Sequence, residues 1–238
     1  MQNTFKMALR AQNEFVQIVE AQPKNVQAMA MLCLTYLDLW PYSHRDNRDK
    51  QVVKEVLLKA KKVDPVGANG NTCEVVNNIL EGDFEKAKSV IDGVLKMFES
   101  SEEPPIVFYY FKALSLENET NYSSALGYVN SAQRLWPQWL HAYILEARLQ
   151  KKLDNPVAAA TRYNQVVKVN PKHKVALLNL GLLEFSKFFR YPTAKKAIKR
   201  GLAVKDKAPP KLESEAYMAL AEMALKENDN DNALRFSQ

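Results

Sequence analysis

The chain has 238 residues, of which 47% are hydrophobic and 25% charged, with only 7 Gly and 11 Pro. This composition is typical of an ordered, helix-rich protein and excludes a disordered chain. No stretch reaches the roughly 18 unbroken apolar residues that a membrane span needs, because Thr35 and Asp38 interrupt the best candidate, 28–40. The N-terminus lacks a signal-peptide pattern, so the sequence predicts a cytoplasmic protein with no membrane insertion.

The net charge of +6 is concentrated in one third of the chain. Residues 140–212 carry 16 Lys and Arg against 4 Asp and Glu, a net +12, whereas residues 1–139 carry −2 and residues 213–238 carry −4. This asymmetry indicates an acidic protein or a nucleic acid as a partner of that segment.

The N-terminal third predicts three helices. Residues 4–22 show helical apolar spacing and match only the second half of the repeat described below. A helix over 25–39 should stop at Trp40-Pro41, and a second helix is expected over 49–63. The intervening insert, with Trp40, Tyr42 and His44, either touches a partner or is a tolerated surface insertion.

Cys33 and Cys73 both fall in apolar helical patterns. Without export signals, the favoured interpretation is two buried thiols, and a disulfide is the less favoured alternative.

The middle and C-terminal parts predict further helix pairs. Residues 70–97 contain a weak first helix after Gly67 and Gly70 and a clear second helix, followed by a hydrophilic connector at 100–105. Regular pairs follow over 106–137 and 140–171, then a pair that opens at 174 and an incomplete one that opens near 211.

One short phrase occurs twice, 34 residues apart: NYSSALGYVNSAQRLWP from Asn121 and NPVAAATRYNQVVKVNP from Asn155. A period of this length is typical of helical solenoids, in which each pair buries its apolar faces against the next. The sequence therefore predicts an all-α, right-handed superhelical solenoid of antiparallel helix pairs, with about five full pairs and incomplete terminal ones.

The predicted array forms a single domain over 1–238, and we expect it to be a fragment of a longer chain whose exposed terminal helices can self-associate. Its predicted repeats are 1–23 (partial), 24–66, 67–104 (degenerate), 105–138, 139–172, 173–210 and 211–238 (incomplete).

These repeats resemble the tetratricopeptide repeat (TPR) family. The resemblance is carried by residues of the first helices, the second helices and the exit turns: Leu177, Leu180, Gly181, Tyr217, Leu220 and Ala221, then Ala87, Ala125, Ala132, Ala159, Tyr163 and Ala194, and finally Pro65, Pro137 and Pro171. It implies a protein-binding scaffold or adaptor whose first helices line a concave groove.

On that resemblance, the groove should hold a peptide or a partner domain against a mostly apolar surface. The implied groove residues are Val107, Tyr110, Leu114, His141, Ile144, Arg148, Val175, Leu178, Asn179, Leu182 and Met218, with Glu222 beside them. The alternative for any one of them is burial between helices. The carboxylate clamp of some TPR domains is not expected, because Ile144 and Arg148 occupy positions where it needs Lys and Asn.

A second candidate surface is basic. Lys195, Lys196, Lys199 and Arg200 have helical spacing on a second helix, hence on the outer face. A solvated surface and a nucleic-acid module using 140–212 are the two alternatives, the latter weakened by the lack of interleaved aromatic residues.

The sequence offers no pattern for catalysis. His44, His141 and His173 are scattered without ligand spacing, and no zinc, Walker or dinucleotide motif occurs. We therefore expect no enzyme activity, no metal and no cofactor.

Overall fold

The computed structural model describes residues 4–39, 47–101 and 105–237. Every regular element within these residues is an α-helix, and none of these helices is long and apolar enough to cross a membrane. The thirteen helices described are α1 (Thr4–Ala21), α2 (Val26–Leu39), α3 (Asn47–Val63), α4 (Ala68–Glu81), α5 (Phe84–Met97), α6 (Ile106–Asn118), α7 (Tyr122–Leu135), α8 (Leu140–Lys152), α9 (Pro156–Val169), α10 (Lys174–Ser186), α11 (Tyr191–Ala203), α12 (Pro210–Lys226) and α13 (Asn230–Ser237). The predictions for Trp40, Tyr42, His44 and residues 102–104 lie outside the described residues.

The period predicted from the repeated phrase is present in the helices themselves. The first helices α6, α8 and α10 begin at Ile106, Leu140 and Lys174, 34 residues apart. The second helices α7 and α9 also begin 34 residues apart, and α11 begins 35 residues after α9. Within each pair the two helices pack on each other. The prediction of an all-α array of helix pairs is confirmed.

Each turn inside a helix pair that the structure describes contains a residue in the left-handed backbone region. Thr120, Asp154, Phe189 and Asn228 all have φ between 55° and 61°, and Gly82 has φ 84°. Thr120 and Asp154 are 34 residues apart, and Phe189 follows 35 residues later. The last spacing is one residue longer because the segment between α10 and α11, residues 187–190, has one residue more than the segment between α8 and α9, residues 153–155.

Small residues lie where two helices approach closely. Ala113, Ala147 and Ala159 are fully buried. A Cβ on Gly181 would come within 2.5 Å of Cγ1 of Ile198, and one on Gly201 within 2.7 Å of Cδ2 of Leu178. Both glycines are therefore required by packing between α10 and α11.

The chain divides into two compact units, Phe5–Gln138 and a C-terminal unit that begins at Trp139. In the N-terminal unit, α4 packs on α2, α3 and α5. The sequence predicted a weak helix here, but α4 is well formed, with buried residues along its length. The Asp64 carboxylate accepts hydrogen bonds from the backbone N–H groups of Gly67 (2.7 Å) and Gly70 (3.2 Å), which satisfies the start of α4.

The two cysteines of this unit form a disulfide, so the prediction of buried thiols is wrong. Cys33 in α2 and Cys73 in α4 are fully buried, with Cα atoms 5.4 Å apart. The apolar helical pattern correctly predicted their burial. It could not show that the packing of α2 on α4 brings the two positions together.

Buried ion pairs join elements of the C-terminal unit. The Glu146 carboxylate, almost fully buried, lies 2.8 Å from Nε of Arg162. The buried Lys174 ammonium lies 2.6 Å from the Glu213 carboxylate and donates to the Asp206 carbonyl at 2.9 Å. These pairs link α8 to α9, and α10 to α12 and the segment before it.

Candidate functional site

On α8, the structure leaves the predicted groove residues accessible. His141 and Arg148 are exposed, and Ile144 is half-buried against the core formed by Ala147 and its neighbours. The three are spaced at i, i+3 and i+7 and so share one side of the helix.

On α10, three of the four predicted residues are half-buried and one is not accessible. Val175 and Leu182 pack against the core while keeping part of their surface exposed. The Asn179 side chain donates to the Val175 carbonyl at 2.9 Å, which leaves its amide oxygen available as an acceptor. Leu178 is fully buried against Gly201, so its assignment to the groove is corrected: its side chain belongs to the packing between α10 and α11.

On α12, Met218 is 59% exposed, although the adjacent Ala219 and Leu220 are buried. Glu222 is exposed and pairs with Lys226 at 3.1 Å. Leu225, seven residues or two helical turns beyond Met218, is 57% exposed. The sequence did not predict it as a groove residue, because the repeat pattern ends before this position. We call the side of α8, α10 and α12 that carries these side chains the first-helix face: His141, Ile144, Arg148, Val175, Asn179, Leu182, Met218 and Leu225.

The predicted groove residues of the N-terminal unit lie on α6. Val107, Tyr110 and Leu114 are half-buried and pack against the core of that unit. Part of each side chain is therefore accessible to a partner, and the remainder packs in the core.

The predicted basic patch on α11 is partly engaged within the chain. Lys195 pairs with Glu227 at 2.5 Å, and Nζ of Lys199 lies 6.0 Å above the Phe236 ring. Lys196, Lys199 and Arg200 are exposed, as predicted for an outer face. The charge of Lys195 is thus balanced within the chain, whereas Lys196 and Arg200 face solvent.

The turn before α10 contains a buried histidine that the sequence did not single out. His173 is the N-cap of α10, and its Nδ1 accepts the backbone N–H of Ala176 at 3.2 Å. Burial, with a smaller contribution from His141, lowers the pKa of His173 from 6.5 to about 4, against the opposing effect of Asp206. A neutral ring is needed here, because a protonated Nδ1 could not accept the hydrogen bond.

Among the residues that the structure describes, no group of three or more His, Cys, Asp or Glu side chains could hold a metal ion.

No family model matches the sequence, and no curated protein matches it. Solved structures do match. PilF of Pseudomonas aeruginosa superposes with a TM-score of 0.69 at 16% identity, over 89% of this chain and 88% of PilF. Cut9, solved in the APC/C hetero-tetramer Cut9–Hcn1, gives a TM-score of 0.77 at 15% identity, over 96% of this chain and 42% of the other. The fold is of the TPR type.

A third match, the human IFIT1 dimer solved with m7Gppp-AAAA, gives a TM-score of 0.73 at 14% identity, over 96% of this chain and 53% of IFIT1. At these identities the likeness concerns the TPR-type fold alone. The 34-residue period and the small buried residues of the helix pairs are the sequence features that predicted it.

Proposed function

We propose that this chain is a protein-interaction scaffold or adaptor that holds a peptide or a partner domain on its first-helix face. The observation that carries the proposal is the exposure of Met218, an apolar side chain of α12 that is 59% accessible, with Leu225, which is 57% accessible, seven residues further along. Half-exposed Ile144, Val175 and Leu182 supply further apolar surface on α8 and α10.

The chemistry of this face suits an amphipathic or extended protein segment. Apolar side chains at helical spacing form anchors for such segments, and a flexible methionine adapts to the shape of its partner. Arg148 and the amide oxygen of Asn179 add a charge and an acceptor that would fix the orientation of a bound backbone.

The alternative, a nucleic-acid-binding module that uses 140–212, has less support. Arg162, Lys174, Lys187 and Lys195 of this segment already pair with carboxylates within the chain. IFIT1 was solved with m7Gppp-AAAA, but at 14% identity the similarity to this chain concerns the fold and does not extend to the ligand. A dissociation constant for RNA or DNA that weakens steeply with salt would favour this alternative.

Affinity purification of the partner from the native source, with wild-type and substituted full chains, tests the first-helix face. Met218→Glu places a charge in the proposed contact and should reduce the amount of captured partner by about tenfold or more, because a carboxylate would be buried without a partner group. The matched control is Met97→Glu on α5, since Met97 is 57% exposed and lies in the other unit.

Circular dichroism and thermal unfolding should show that both variants fold like the wild type, because both side chains are exposed. Equal capture by wild-type, Met218→Glu and Met97→Glu chains would overturn the proposal. Loss of capture by the Met97→Glu variant alone would move the contact to the N-terminal unit.

A further inference from the structure

The structure separates the basic residues of α11 into two sides. Lys195 and Lys199, four residues apart, face the acidic end of α12 and helix α13. Lys195 pairs with Glu227, and both lysines help to lower the pKa of Asp229, after the larger effect of hydrogen bonds from Asn232. This side of α11 is electrostatically balanced.

The other side of α11 carries Lys196 and Arg200, again four residues apart. Arg200 Nη2 donates to the carbonyl of Pro171 at 3.4 Å, so this side lies against the turn that follows α9. The same turn carries Lys172, and the last turn of α9 carries Lys168. All four cationic side chains are exposed. We call Lys168, Lys172, Lys196 and Arg200 the basic cluster.

No carboxylate is available in the elements that form this cluster. Helix α9 (Pro156–Val169), the turn 170–173 and helix α11 (Tyr191–Ala203) contain no Asp or Glu at all. Lys168 and Arg200 complement the C-terminal ends of their own helix dipoles. Lys172 in the turn and Lys196 in the middle of α11 do not lie at a helix C-terminus. The cluster therefore carries more positive charge than the two helix dipoles offset.

We propose that the basic cluster is a docking surface for an acidic protein segment. This surface lies on second helices and goes beyond the first-helix face of the proposed function. Exposed carboxylates on a partner would meet four cations without having to displace an intramolecular carboxylate, and the attraction would also steer encounter.

The surroundings of the basic cluster favour protein over nucleic acid. Val169, next to Lys168, is 69% exposed, and an apolar side chain complements a polypeptide rather than a phosphate backbone. Neither aromatic ring of the two helices is available for base stacking. Tyr163 is buried, and the Tyr191 ring lies under Nζ of Lys226 at 4.8 Å.

The test measures binding of fluorescein-labelled poly-L-glutamate to the folded full chain by fluorescence anisotropy, with a DNA duplex of matched charge as the second probe. In one variant Lys168, Lys172, Lys196 and Arg200 are replaced by Gln. In the matched control the exposed Lys151, Lys152, Lys187 and Lys211 of the same unit are replaced by Gln, which removes the same net charge.

The proposal predicts that the cluster variant binds poly-L-glutamate at least about tenfold more weakly than the wild type, while the control variant changes by about twofold or less. It also predicts tighter binding of poly-L-glutamate than of the duplex at equal ionic strength. No binding of poly-L-glutamate by the wild type, or equal weakening in both variants, would overturn it. Tighter binding of the duplex, lost only in the cluster variant, would replace the acidic protein with a nucleic acid.

Because the first-helix face is tested with Met218→Glu and native partner, either proposal can fail without the other.

Discussion

Among single residues, His173 is both a buried side chain and a hydrogen-bond acceptor, and protonation of its ring would be unfavourable for both. It is buried at the start of α10, and its neutral ring accepts a backbone hydrogen bond there. Its nearest charged influences are His141, which disfavours protonation, and Asp206, which favours it. The depressed pKa follows mainly from burial, so it reports the packing of this turn.

This environment predicts how stability depends on pH. Because the pKa of His173 falls from 6.5 in the unfolded chain to about 4 in the folded one, the unfolded state binds more protons between these values. The contribution of the neutral His173 to the free energy of unfolding is fully present above a pH of about 6.5. It decreases as the pH falls, and the loss reaches roughly 3 kcal/mol near pH 4. Urea unfolding of wild type and His173→Asn, which keeps an N-cap acceptor without titrating, should show this difference.

Carboxylates titrate in both proteins, so the difference between their pH profiles isolates His173. The exposed His141→Asn variant serves as the control and should keep most of the wild-type pH dependence. Parallel profiles for wild type and His173→Asn would contradict the assigned environment of His173.

At the scale of elements, the disulfide between α2 and α4 closes a loop of the chain that contains α3. The two cysteines are 40 residues apart in sequence, and a crosslink of this span removes unfolded-state entropy worth about 4 kcal/mol. We expect a Cys33→Ala/Cys73→Ala chain to lose stability of this order in urea unfolding. The wild type should resist reductant until it unfolds, because both sulfur atoms are buried.

Alkylation of the unfolded, unreduced protein, followed by mass spectrometry, provides the direct check. Neither cysteine should be modified before reduction. Full alkylation of both residues in protein from the native source would show that they are thiols there, as the sequence alone had predicted.

Much of the element pattern could be predicted from the sequence, because it depends on local periodicity. Ala125 and Ala159, which the repeated phrase places at the same repeat position, are both fully buried. Local periodicity failed where partners from distant elements decide the outcome. The burial of Leu178 depends on Gly201 in the next helix, and the order of α4 depends on Asp64 and on packing against three helices.

The candidate site was predictable only as a set of positions. The resemblance to TPR repeats implied that Met218 is a groove position, but its 59% exposure is a property of the folded unit. In the same way, the spacing of Lys195, Lys196, Lys199 and Arg200 indicated one patch. Only the contacts to Glu227 and Pro171 divided it into a balanced side and an unbalanced one.

At the scale of the whole molecule, charge and apolar surface lie on different sets of helices. The apolar first-helix face is on α8, α10 and α12, and the basic cluster is on α9 and α11 with the turn that follows α9. A scaffold with two chemically different surfaces can distinguish partners by what each surface accepts. The cytoplasmic location predicted from the lack of a signal-peptide pattern stays a prediction, and the disulfide does not favour it, because disulfides are rare in reducing compartments.

If a protein partner binds the first-helix face, oxidative footprinting of methionines should detect its contact with Met218. Met218 and Met97 are 59% and 57% exposed, so dilute hydrogen peroxide should oxidise both at similar rates in the free chain. In the purified complex with the native partner, oxidation of Met218 should slow several-fold because the partner covers it, and oxidation of Met97 should be unchanged. Oxidation of Met218 at the same rate in the free and bound chains would show that the partner binds elsewhere.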